Sequence, residues 1–136
     1  KDVSYFGYGP YESYVDKHQA SYMGNFTDKV SNMHEDYIKP QENSSHYNCK
    51  RMSVTDGKVQ IEFSHPDGFS FNASEYSQEE LASKRHNFEL EKSGYHIICV
   101  DYKMAGCGSN SCGPQLDKKY QLELPKIEAD FYVRVK

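Results

Sequence analysis

Residues 59–63 alternate Val59, Gln60, Ile61, Glu62, Phe63, so that three apolar side chains fall on one face and the polar ones on the other. That period of two is the pattern of a half-buried strand, and Thr55-Asp56-Gly57 just before it is a turn signal. Residues 47–54 on the far side of the turn are mixed polar and apolar, so 47–54 and 58–64 are expected to pair as a β-hairpin. His65-Pro66-Asp67-Gly68 predicts a second turn. Phe69 and Phe71 then resume the alternation opposite Ser70 and Asn72.

Further along, Tyr95-His-Ile-Ile-Cys-Val-Asp-Tyr102 predicts a largely buried strand, and residues 120–124 and 131–135 alternate again behind Pro114 and Pro125. Short strands with turns between them imply an all-β, antiparallel sandwich. One helix interrupts the pattern. Ser77-Gln-Glu-Glu80 matches a capping box, with Tyr76 and Leu81 at the staple positions, which predicts a short helix over 78–85. His86 is expected to bond its last carbonyls. Residues 7–46 are broken early by Gly7, Gly9 and Pro10 and show no sustained period, so they are expected to be ordered loops with short strands that serve an interface or a site.

The 136 residues suit a single domain, 1–136. Its aromatic residues are 12 Tyr and 7 Phe with no Trp, so much of the apolar area carries a hydroxyl that wants a partner, as on sheet surfaces and wet interfaces. A formal charge of −4 with no basic run longer than two residues argues against nucleic acid as a partner. No stretch nears the roughly 18 apolar residues of a membrane span, so no membrane partner is expected. Opening at Lys1-Asp2-Val3-Ser4, already strand-like, the chain reads as a segment of something longer.

Cys49, Cys99, Cys107 and Cys112 give one C-x4-C spacing but no CxxC pair and no paired histidines beside it, so no metal and no cofactor is expected in this segment. Cys49 and Cys99 fall in strand-like alternation and are expected to act as small hydrophobes. Three Asn-x-Ser/Thr triplets, at Asn25, Asn43 and Asn72, are expected to be unused.

The run Gly106-Cys-Gly-Ser-Asn-Ser-Cys-Gly-Pro114 cannot be helix or strand. It is either a structural corner or the rim of a binding site, where Ser109, Asn110 and Ser111 offer short donors and acceptors.

Four blocks in order carry a family resemblance. They are Tyr5-Phe6-Gly7-Tyr8-Gly9-Pro10-Tyr11-Glu12-Ser13-Tyr14-Val15-Asp16-Lys17, then Tyr37-Ile38-Lys39-Pro40-Gln41-Glu42-Asn43, then Phe71-Asn72-Ala73-Ser74-Glu75-Tyr76-Ser77, and last Asp101-Tyr102 with the 106–114 run. Together they resemble the C-terminal domain of glycoside hydrolase family 2 β-galactosidases. The resemblance implies the second half of an antiparallel β-supersandwich of the galactose mutarotase-like kind, and a parent enzyme that hydrolyses terminal β-D-galactosyl residues with retention through two glutamates.

In the family so resembled both glutamates belong to a central barrel, which the resemblance places outside this segment. Glu12, Glu42, Glu79 and Glu80 match no catalytic motif, so the segment alone is expected to be inactive. Its implied role is to close one wall of the sugar site with Ser109, Asn110, Ser111 and Cys112, in contact with the parent's other domains and the galactoside substrate. One branch of the family carries Trp at the position of Cys112, so here either the small polar side chains or a Tyr from elsewhere must serve. Cys112 stands equally as a thiol packing the corner or as a partner of Cys107. His46 and Tyr47 are candidate contacts with the other domains. A homo-oligomer and a cytoplasmic location are expected for the parent. The alternative is an autonomous carbohydrate-binding or mutarotase-like module.

Overall fold

A computed structural model of the protein describes residues 1–107 and 115–136. Six strands form one antiparallel sheet: β1 Asp2–Gly9, β2 Tyr22–Lys29, β3 His46–Thr55, β4 Gln60–Ser74, β5 Ile97–Asp101 and β6 Tyr132–Val135. Their order is β2-β1-β3-β4-β5, with β6 also on β4. One short helix, α1 Gln78–Ser83, accompanies them, so the all-β, antiparallel reading holds.

Register puts the apolar residues on one face. Val3 lies opposite Val54, Tyr5 opposite Met52, Met52 opposite Phe63, and Phe71 opposite Val100. Val3, Met52 and Phe71 are wholly buried there, and Val30 and Met33, from a 3-10 turn at Val30–Asn32 and its cap, complete the cluster. Cys49 joins this core as expected. Cys99, opposite Asn72, lies on the other face, where it accepts a hydrogen bond from Gln78 Nε2 at 3.4 Å.

The predicted reversal at His65-Pro66-Asp67-Gly68 does not occur. β4 runs straight through it: from Arg51↔Ser64 to Cys49↔Phe69, β3 advances two residues while β4 advances five. The extra residues form a bulge, with Gly68 at φ +89° and the Asp67 amide donating to His65 Nδ1 at 3.1 Å. Proline is tolerated there because no ladder donor is required. The bulge also divides β4's outer edge, residues 61–64 pairing with β6 and 70–74 with β5.

The N-terminal third is more regular than its glycines suggest. β1 and β2 pair over eight residues, from Asp2↔Lys29 to Gly9↔Tyr22, and only the connections are irregular. Gly7 and Gly9 occupy inward positions of β1 where a side chain has no room. A Cβ on Gly7 would lie 2.9 Å from the Cys49 Cα, and one on Gly9 would lie 2.8 Å from the Phe26 ring.

Near the C-terminus the strand expected over 120–124 is replaced by a 3-10 turn at Lys118–Tyr120, capped by Asp117. β4's outer edge is already taken by β5 and β6, so 120–124 does not pair there.

Helix α1 starts as predicted, with Ser77 Oγ accepting from the Glu80 amide at 3.1 Å. The second half of the capping box fails, because the Glu80 carboxylate accepts from the Glu91 amide and pairs with Lys84. The helix stops at Ser83, two residues short of expectation, and Lys39 rather than His86 serves its end. The Lys39 ammonium donates to the carbonyls of Ala82 and Lys84, while the His86 amide donates to Glu89 across the next 3-10 turn.

Candidate functional site

Glu12 is the hub of the irregular N-terminal segments. Its side chain is 6% exposed, and its carboxylate accepts from the Lys17 ammonium, the Tyr37 hydroxyl and, at 2.8 Å, the Ser44 amide. Burial opposes the charge. The hydrogen bonds from Lys17, Tyr37 and Ser44, with the Lys17 charge, outweigh it and hold the carboxyl below its ordinary value. Next to it, Ser13 donates its amide to Ser45 O at 2.6 Å and accepts from the Tyr47 amide at 2.9 Å. Residues 12–17, 37 and 43–47 are thereby fixed against one another.

Beside this hub lies a cleft of ≈ 430 Å³ bounded by Glu12, Lys17, Tyr37 and Glu42 on one side and by Met104, Gly106 and Cys107 on the other. Its second wall leads directly into the 106–114 run. Two contacts anchor that wall: Ser45 Oγ donates to Met104 Sδ at 3.5 Å, and Asp16 Oδ1 accepts from the Cys107 amide at 3.0 Å.

Glu42 accepts from Asn72 Nδ2 at 2.8 Å, and Asn72 Oδ1 is the one buried side-chain polar atom without a partner among the described residues. Burial and the nearby Asp101 charge push the Glu42 carboxyl up, against the Asn72 hydrogen bond, and burial does the same to Asp101. The cleft thus offers carboxyl, phenol and ammonium groups suited to a hydroxyl-rich ligand. Glu12 itself is saturated with donors and makes a poor base.

The four sequence blocks therefore converge in space, through Glu12 and Asp16, Tyr37 and Glu42, Asn72, and Asp101 with the start of the run. Of the residues singled out from the sequence, Ser109, Asn110, Ser111 and Cys112 lie outside the described residues. His46 is no surface contact: it is 4% exposed, with its ring 4.4 Å from Tyr5 and 5.2 Å from Phe71. Burial lowers its pKa to about 4, against the pull of the Tyr8 carbonyl, so it stays neutral at pH 7. It belongs to the core because its place at the start of β3 turns it inward, beside Phe71. Tyr47 is half-buried against Tyr8 and His18. Sequence reasoning missed Asp16, Lys17 and Tyr37 as site residues. All three stand in the recognisable blocks, and only the long-range contacts reveal what they do.

Among the described residues no helix is long and apolar enough to cross a membrane. A family model described as "Beta galactosidase small chain" matches residues 1–134. Beta-galactosidase of Actinobacillus pleuropneumoniae is 48% identical over 132 residues, covering 97% of this chain and 12% of that protein. Beta-galactosidase of Staphylococcus xylosus is 36% identical over 134 residues, covering 98% of this chain and 14% of its own length. The chain thus spans only about an eighth of the curated relatives it matches.

Proposed function

We propose a role that starts from membership: the chain belongs to the β-galactosidase small-chain family, and it closes one wall of the galactoside site in a retaining β-galactosidase. It is read as the second half of a supersandwich domain, a single unit over 1–136, whose partners are the parent's other domains. The two carboxylates that such chemistry needs, one acid/base and one nucleophile, come from those domains. Support comes from the cleft. Three recognisable blocks build a rigid frame whose open side is the base of the 106–114 run, while Glu12, the best-placed carboxylate, is consumed in holding the frame. The free thiols Cys49, Cys99 and Cys107 suit a cytoplasmic parent, where thiols stay reduced.

In the intact enzyme, alanine at Ser109, Asn110, Ser111 and Cys112 in turn should lower kcat/KM for a β-galactoside by about tenfold in at least one variant. Wild-type kinetics in all four would overturn the wall role. The isolated chain should neither hydrolyse a chromogenic β-galactoside nor give saturable heat with galactose. Uptake of galactose by the isolated chain would instead make it an independent binding module.

The apolar face runs out from the core onto Ile61, Val133 and Val135, which are 36%, 56% and 67% exposed, beside the outer edge of β6. Other domains of the parent are proposed to cover it. Cut free, such a face and edge favour association. Sedimentation of the isolated chain should show dimers or larger species as concentration rises, and a monomer across a hundredfold range, about that of routine sedimentation work, would count against this.

A further inference from the structure

Asp16 stands at the tip of a tight turn. Tyr14 and Lys17 exchange backbone hydrogen bonds of 2.8 and 3.1 Å around it, and Lys17 is held in turn by Glu12. From that fixed position its Oδ1 accepts the Cys107 amide at 3.0 Å across 91 residues of chain. A hydrogen bond to Asp16 also helps to raise the Cys107 thiol, after burial and the Asp16 charge.

Gly106 explains how the carboxylate comes so close. A Cβ there would sit 2.6 Å from both Asp16 oxygens, so the carboxylate occupies the volume that any other residue would fill. Gly106 itself is buried, and it takes no positive φ that would demand glycine for backbone reasons. Its missing side chain is a matter of space, and Asp16 is what fills that space.

We propose that Asp16 is a positioning residue for the start of the 106–114 run, its carboxylate seated on the bare backbone of Gly106 and Cys107 so that the segment leading to the wall residues begins from a fixed place. The proposal rests on the wall role proposed above. A charge-assisted N–H···O⁻ bond is stronger than a neutral one, but an amide oxygen accepts in the same geometry. Asn at this position therefore keeps the contact, and Ala removes it.

The test uses the intact enzyme with Asp16→Asn, Asp16→Ala, Gly106→Ala and the double Asp16→Ala/Gly106→Ala, alongside the 109–112 variants. Misplacement by an ångström costs up to about a hundredfold in rate, so Asp16→Ala and Gly106→Ala should each lower kcat/KM by about tenfold or more. Asp16→Asn should stay within about threefold of wild type. The double variant should be no worse than either single one, because removing the carboxylate makes room for the new methyl.

Amide hydrogen exchange supplies a readout independent of activity. Exchange at Cys107 should speed up in Asp16→Ala and stay slow in Asp16→Asn. Multiplicative losses in the double variant, or unchanged kinetics in Asp16→Ala beside impaired 109–112 variants, would overturn the positioning role. Wild-type kinetics throughout the 109–112 set overturns the wall role instead, and slow Cys107 exchange in Asp16→Ala overturns the contact itself.

Discussion

Glu12→Ala should destabilise the isolated chain by about 3 kcal/mol, since a buried donor left without its acceptor costs roughly 1–3 kcal/mol and more than one is orphaned here. The Ser44 amide is the expensive one. Ser44 is 3% exposed, and its positive φ of 58° ties the amide to one direction, so it cannot turn to water. The Lys17 ammonium, half exposed, is released to solvent at little cost. Glu12→Gln keeps the shape and one acceptor and should cost about half as much.

The pH dependence separates charge from packing. Because the folded-state pKa of Glu12 lies below its ordinary 4.5, its contribution is complete above that value and disappears as pH falls through the lower folded value. Denaturant melts of wild type and Glu12→Gln should therefore converge on acidification. A gap that stays constant from neutral pH to about pH 3 would show that the carboxylate's charge contributes nothing.

The features legible in the sequence were those set by neighbours along the chain. Alternation at 59–63 placed β4, and Ser77 placed the start of α1. Errors arose where a residue answers to a distant partner. Gly7 and Gly9 read as breakers, although each marks a strand position filled from elsewhere, by Cys49 and by Tyr5 with Phe26. His65-Pro66-Asp67-Gly68 carries turn chemistry, but β3 remains beside β4 on both sides of it, and pairing overrides the local signal. The end of α1 was misread for the same reason, since Lys39 arrives from 43 residues upstream of Ala82. At the site, the blocks were visible as blocks. That Glu12, Tyr37 and Ser44 share one carboxylate, and that Asp16 reaches Cys107, depends on how residues 10–46 lie over the sheet, which no local period encodes.

Phe71→Ala should be still more damaging, at about 4 kcal/mol, the range for truncating a fully buried aromatic side chain. Phe71 is wholly buried in the last third of β4, edge-on to Tyr5 at 5.2 Å and stacked on His46 at 5.2 Å, so little can collapse into the space it leaves. The cavity borders His46, whose pKa of about 4 reflects desolvation before anything else. Admitting water there should return the imidazole towards its ordinary 6.5, and an NMR titration of His46 would show it. In the wild type a neutral His46 favours folding fully above 6.5, and that contribution is lost progressively as pH falls towards 4, because the unfolded chain takes the proton first. The variant lacks most of that loss. Its deficit should therefore be largest near neutrality and narrow on acidification, the same direction as for Glu12→Gln but through the window between 6.5 and 4 and not below 4.5. Phe71→Leu should cost about 1–2 kcal/mol and serves if the alanine variant does not fold. A cost under 1 kcal/mol for the alanine variant, about the size of a surface effect, would mean that the core is not organised around this ring. His46 follows directly on Ser44 and Ser45, which hold Glu12 and Met104, so damage at Phe71 should reach the cleft and speed Cys107 amide exchange as well.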